Sequence, residues 1–317
     1  MRIERNISLK ERTNLKVGGK AKFFSQARSV DEIREALLWA RDKFLPLFVL
    51  GGGTNIVLPD EGWPGLVLTI QNQGIERRGN LLEVAAGVDM EGLLEAMLAF
   101  RLSGLEWAGG LPGTLGGAVR GNAGAFGGEI KDSLMSTLAM DSQGRIRKFN
   151  NKECQFTYRG SIFKQKPFII ISATLKFSPC REPKRSRAAI EEKLEFRRKK
   201  FPLEFPNVGS IFKNICRKED VRHLIKLFPS LKERVEKDWG GKVPAAFLIE
   251  RAGIKGMGLG GAKISEQHAN FIINYRKASS SDFVTLLEMA RCIIKRLYGV
   301  SLEPEVEIVR APQKEIG

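Results

Sequence analysis

The sequence is poor in the residues that most often announce chemistry: two histidines, three tyrosines and four cysteines. Cys154, Cys180, Cys216 and Cys292 are widely scattered and make no CxxC pair. That spacing argues against a thiolate metal site, so no metal is expected. Each cysteine is expected to be a buried small hydrophobe in a reducing cytoplasm. No run of about 18 apolar residues occurs, which removes a membrane-spanning helix. The opening "MRIERNISLKERTNL" lacks the apolar core of a secretory signal, so a cytoplasmic location is expected. No glycine-lysine pair is followed by Ser or Thr, which excludes a Walker A loop. Internal repeats and low-complexity segments are absent as well.

What remains is ordinary globular composition, 43% hydrophobic and 28% charged over 317 residues. That length suits about two domains. The net charge of +16 invites a nucleic-acid reading. The basic clusters, however, are short and mixed with acids, as in "REPKRSR" and "EFRRKK". There is no zinc-finger spacing, no aromatic RNA-binding signature and no basic tail, so no nucleic-acid partner is expected. The same positive potential attracts small polyanions such as nucleotide diphosphates.

Along the chain, Ser29 stands three residues before Glu32, and Ile33, Ala36, Leu37 and Ala40 follow at helical spacing; this predicts a capped helix. "FLPLFVLGGGTN" reads as a short strand ending in three glycines. Pro59, Gly62 and Pro64 follow, so no helix starts there, and the G-x-G-x-x-G fingerprint of a dinucleotide fold is excluded. "LVLTIQNQGIERRGNLLEVAAGV" reads as strand, turn at Gly79-Asn80, strand. "MEGLLEAMLAFRLSG" reads as a helix ending near Gly104, and "SLMSTLAMDSQGRIRKF" as a hairpin turning at Ser142-Gln143-Gly144. "PFIIISATLKF" is an apolar strand. "REPKRSR" looks loop-like, with a helix beginning near Ser186. Beyond two prolines in "FPLEFPNVGS", helices ("AAFLIERAG", "SDFVTLLEMARCIIKRLYG") alternate with a strand ("HANFIIN"). The class is α+β with more than one lobe.

Two glycine clusters stand out. Gly51, Gly52, Gly53, Thr54 and Asn55 end a strand and offer successive main-chain amides, a concavity suited to phosphate oxygens. The second tract, Gly109 to Gly128, has nine glycines among its 20 residues. A free linker would favour polar residues, whereas this tract carries Leu111, Leu115, Val119 and Phe126, which require burial. Glycine there lets backbone approach a bound molecule closely. Two such cradles, neither Rossmann nor Walker A, point to a diphosphate-bearing cofactor lying across a lobe boundary.

The ordered motifs "LGGGTNIVL", "GLPGTLGGAVRGNAGAFGGEI", "YRGSIFK", "PNVGSIFKN", "GGAKISEQHANFIIN" and "EPEVEIV" resemble those of the UDP-N-acetylenolpyruvoylglucosamine reductases, flavoenzymes of bacterial peptidoglycan synthesis. The resemblance runs from "TNLKVGG" to "EPEVEIV", nearly the whole chain. It implies the vanillyl-alcohol-oxidase-like (PCMH-type) FAD fold in two subdomains, 1–67 and 68–199, with a C-terminal α+β substrate domain at 200–300. The tail 301–317 is expected to return to the first subdomain. Gly51, Gly52, Gly53, Thr54 and Asn55 would hold FAD, together with Pro112, Gly113, Thr114, Gly116, Gly117, Asn122, Gly124 and Ala125. Neither His223 nor His268 lies in an attachment motif, so the FAD would be non-covalent. NADPH would be co-substrate, and the protein a monomer.

The same resemblance implies chemistry. The substrate is an enolpyruvyl ether of UDP-N-acetylglucosamine. Hydride from reduced FAD reaches the terminal CH₂ carbon, and charge collects on the α-carbon and its carboxylate. Arg159 matches the arginine that stabilises this charge, Glu305 the glutamate that assists as an acid, and Ser210 the proton donor to the α-carbon. Tyr158, Lys200, Lys213 and Asn214 are candidates for UDP or sugar contacts. His268 is either a substrate neighbour or a packed core histidine. No tyrosine lies between Arg159 and Ser210, as in the shorter members that lack a tyrosine-bearing loop. Ile215 departs from the proline that usually follows "FKN". The alternative is another FAD-dependent oxidoreductase of this fold.

Overall fold

The computed structural model describes residues 1–312, so residues 313–317 of the tail lie outside the described residues. The α+β class is observed. Its first sheet has four strands in the order Glu4–Ser8, Lys20–Ala27, Trp63–Ile70, Leu47–Leu50. The outer pair is antiparallel and the other two pairings are parallel. Parallel neighbours need a crossover. The helix Val30–Asp42 supplies it, capped by the Ser29 side chain, which accepts from the Glu32 amide. Its buried face is Ile33, Ala36, Leu37 and Ala40, the four residues the spacing selects.

A second, five-stranded sheet is antiparallel throughout, in the order Ile146–Asn150, Leu134–Met140, Ile169–Lys176, Leu81–Ala85, Ile75–Arg78. The helix Met90–Ala99 contributes Met90, Leu93, Leu94, Met97 and Leu98 to its core. That core reaches back to Ala27 and Ile33, so the first helix packs into it. A separate core gathers Phe212, Leu248, Phe283 and Leu287 around the three-stranded sheet Gly258–Leu259, Ala262–Ile264, Ile272–Asn274 and the long helix Ser280–Tyr298. Leu15, Val17 and Val57 from the N-terminal region belong to this core as well. Near the end of the chain, Glu307–Ile308 pairs parallel with Ile56–Val57, directly after the first glycine cluster.

Two local expectations are corrected, and one helix is unannounced by the sequence: within the second glycine tract, Leu115–Gly121 is helical. Thr114 caps it by accepting from Gly117, and Asn122 closes it in the left-handed conformation, φ 44°. "REPKRSR" is not a loop: the helix runs Pro183–Lys200, with proline at its first turn, where the missing N–H costs nothing. Of the cysteines, only Cys154 is buried; Cys180 is half-buried, and Cys216 and Cys292 are exposed.

Candidate functional site

The two glycine clusters meet. A Cβ on Gly52 would lie 2.8 Å from the Gly113 Cα, and one on Gly113 would lie 2.9 Å from the Thr54 hydroxyl. Gly113 has φ +101° and Gly53 φ +65°, conformations that side chains resist. Bare main chain is therefore a steric requirement here. Among the described residues, the amides of Gly51, Gly52, Gly53, Thr54, Asn55, Gly113 and Thr114 donate to no protein acceptor. This donor set suits a diphosphate-bearing cofactor.

The other candidates are used differently. The Gly116 amide donates to the Ala86 carbonyl at 2.9 Å, and the Gly117 amide is taken by the Thr114 hydroxyl. Both amides are thus spent within the protein, whatever the glycines allow by way of close approach. Pro112 is exposed beside Gly113. Gly124 and Ala125 form a two-residue hairpin ladder with Gly128–Glu129, and a Cβ on Gly124 would lie 3.0 Å from Arg159 Nη1.

The amide of Asn122 is also committed inside the protein. Its Nδ2 donates to Glu129 Oε2 (3.1 Å) and to the Thr157 carbonyl (3.0 Å), and its Oδ1 accepts from the Lys131 amide (3.2 Å). Asn122 therefore joins the glycine tract to the turn that carries Arg159. Asn122 is itself fully buried, and Asn122→Ala removes all three of these part-buried bonds, which should cost about 1–3 kcal/mol, read from urea unfolding. Unchanged stability would contradict this account.

Arg159 is the third residue of a tight turn, closed by Thr157 N–H to the Gly160 carbonyl (3.0 Å) and the reciprocal bond (3.2 Å). Its φ is +60°. From there Arg159 Nε donates to Glu305 Oε1 at 2.6 Å, and both side chains are about four-fifths buried, at 20% and 18% exposed. Burial pushes the Glu305 carboxyl above its ordinary range, against the pull of Arg159, Lys164 and Lys213. Glu305 is fixed from behind: its main-chain amide donates to the Ile211 carbonyl (2.8 Å), and the Asn55 side-chain Nδ2 donates to its carbonyl (3.1 Å). The second of these contacts links the acid to the first glycine cluster.

The Arg159–Glu305 pair lines a cavity of about 340 Å³ with Arg120, Tyr158, Lys164, Lys213 and Glu307. Lys213 pairs with Glu303. The Lys242 ammonium lies 4.3 Å from the centre of the Tyr158 ring, and burial raises the Tyr158 phenol. Asn214 accepts from the Ala245 amide at 3.4 Å and lies beside Tyr158. Ser210 precedes Ile211, the residue hydrogen-bonded to Glu305, but is not among the residues lining the cavity. Lys200 is exposed at the end of its helix and also lies outside it. His268 packs edge-on against Phe201 and Phe271, accepts from the Asn270 amide at Nδ1, and is held below its ordinary pKa by burial. Sequence reasoning missed Arg120, Lys164 and Glu307. All three sit inside motifs already singled out. Arg120 pairs in two-pronged fashion with Glu307, tying the glycine-tract helix to the C-terminal strand.

Residues 201–309 match the model of the UDP-N-acetylenolpyruvoylglucosamine reductase C-terminal domain, and residues 21–150 match an FAD binding domain. A UDP-N-acetylenolpyruvoylglucosamine reductase of Gloeobacter violaceus is 34% identical over 311 residues, covering 97% of this chain and 96% of the relative. The chain belongs to the UDP-N-acetylenolpyruvoylglucosamine reductase family. A reductase of that name from Synechococcus sp. (strain JA-3-3Ab) is 35% identical over 97% of this chain and 91% of its own. The crystal structure of the reductase from Thermus caldophilus superposes with TM-score 0.77 at 28% identity, covering 98% of this chain and all of that one. Like its family, this reductase is an oxidoreductase with an FAD-binding domain. No helix among its described residues is long and apolar enough to cross a membrane.

Proposed function

We propose that this reductase converts the enolpyruvyl ether of UDP-N-acetylglucosamine to UDP-N-acetylmuramate at the Arg159–Glu305 cavity, with NADPH as reductant. The observation that carries the reading is the buried pair itself, 2.6 Å apart and joined through Asn55 to the bare-backbone cradle. When bound, FAD supplies the hydride. Gly51–Asn55, Gly113 and Thr114 would hold its diphosphate arm. Arg159 binds the substrate carboxylate and stabilises the charge that develops there, since preorganised donors act strongly in a desolvated site. Glu305, kept protonated more readily by burial, donates a hydrogen bond to the same group. Ser210 delivers the proton to the α-carbon. Tyr158, Lys213 and Asn214 contact the nucleotide sugar. Residues 1–67 and 68–199 form the cofactor-binding subdomains and 200–300 the substrate domain. The enzyme acts as a cytoplasmic monomer.

The purified protein should be yellow, and NADPH should bleach its flavin absorbance. Addition of the enolpyruvyl sugar nucleotide should restore the colour. A protein that takes up no FAD would defeat the proposal; a flavoprotein that NADPH reduces but this substrate does not reoxidise would be another oxidoreductase of the fold.

A further inference from the structure

The motif "YRGSIFK" contributes a second cation that the chemistry above does not use. Lys164 Nζ donates to the main-chain carbonyl of Arg159 at 3.0 Å. Among the described residues it makes no ion pair, so the main partner of a half-buried ammonium is one peptide oxygen. Burial accordingly lowers the Lys164 amine below its ordinary range. A desolvated cation spent on a carbonyl needs a reason.

The reason lies in the turn. Arg159 occupies the third position at φ +60°, where such turns favour glycine or asparagine. The next position has to be glycine, because a Cβ on Gly160 would meet the Thr157 hydroxyl at 2.6 Å. The left-handed conformation turns the Arg159 side chain toward Glu305, and its carbonyl toward Lys164. Lys164 itself is firmly mounted. Its short helix, Ile162–Gln165, buries Ile162 and Phe163 and is capped by Ser161, which also donates to the Arg120 carbonyl at 2.7 Å. The Lys164 charge faces Glu305 and Glu307, beside Arg120 and Lys213.

We propose that Lys164 is a positioning residue of this reaction: its ammonium clamps the strained main chain at Arg159 and so aims the guanidinium at the reacting carboxylate. This rests on the reading of the Arg159–Glu305 cavity given above. The test is a double-mutant cycle on the FAD-loaded enzyme, with K164M, R159A and the pair. K164M should keep its flavin and its melting temperature, leave KM near the wild-type value, and lose kcat by up to about 10²-fold, the scale of a small misplacement. In the R159A background K164M should cost nothing further, because Lys164 acts only through Arg159. K164R still donates to the carbonyl and should retain most of the rate. Wild-type kcat in K164M, or an equal loss in both backgrounds, would overturn the inference. If K164M fails to load flavin, K164R decides: retained kcat supports the clamp, and a loss as deep as that of R159A overturns it. Absence of turnover in the wild-type enzyme would instead refute the reading of the site, so the two failures are distinguishable.

Discussion

Arg159→Met is expected to lower kcat by about 10³-fold, the upper range for removing one preorganised donor from a developing charge. Methionine preserves much of the volume and adapts its shape. At φ +60° it is no more strained than arginine, so the turn should survive. Two effects add. The carboxylate charge loses a guanidinium that stays ionised throughout catalysis and can bind two oxygens at once. Glu305 also loses the cation 2.6 Å away, which leaves a buried carboxyl whose proton is held still more tightly. Arg159→Lys should recover only part of the rate, because an ammonium cannot reproduce the planar fork. Flavin content and melting temperature should match the wild type, which separates catalysis from folding. Turnover at the wild-type level would remove Arg159 from the reaction.

How much of this was readable in advance depended on the range of the interaction. The helix Val30–Asp42 was legible because its cap and its buried face are both local signals, spaced by the helical repeat itself. The helix Leu115–Gly121 was not. Gly116, Gly117 and Gly121 have poor helix propensity, and the segment is held by the Thr114 cap and by packing of Gly116 on Ala86, a contact across the fold. The glycine clusters were visible as composition, yet only the structure shows that Gly52 faces Gly113. Arg159 and Glu305 are 146 residues apart, so no periodicity could pair them. The ordered motifs brought them to one reaction through family resemblance, and the fold brings them to one cavity. Lys164 and Arg120 stood in quoted motifs without a role. A cation's partner is a three-dimensional property: one holds a carbonyl five residues away, the other a carboxylate 187 residues away.

Binding of the enolpyruvyl substrate is expected to draw a proton from solvent onto Glu305. In the free site, burial raises the Glu305 carboxyl, while Arg159 first and then Lys164 and Lys213 pull it down; Tyr158 and the Arg120–Glu307 pair complete its charged surroundings. The substrate brings its own carboxylate to Arg159. One guanidinium then serves two anions, its pull on Glu305 weakens, and burial prevails. The sign follows: the folded value is already above the ordinary carboxylate range, and substrate lifts it further, so protons are taken up at pH values between the free-site and substrate-bound values. By the same linkage, Glu305 contributes stability that is fully present below the ordinary range and is lost as pH rises through its raised folded value. Titration calorimetry on the oxidised, FAD-loaded enzyme in two buffers of different protonation enthalpy measures the uptake directly. Heat should depend on the buffer for the enolpyruvyl substrate. It should be buffer-independent for UDP-N-acetylglucosamine, which lacks the carboxylate, and for Glu305→Gln with either ligand. That variant should also lose kcat by about 10²–10³-fold, the range for altering one preorganised donor to a developing charge. Buffer-independent heat in the wild-type enzyme would show that Glu305 is either protonated before substrate arrives or never protonated at all. A wild-type pH–rate profile separates the two cases, because in the first kcat/KM stays flat until pH rises through the raised Glu305 value, whereas in the second Glu305→Gln leaves the profile unmoved.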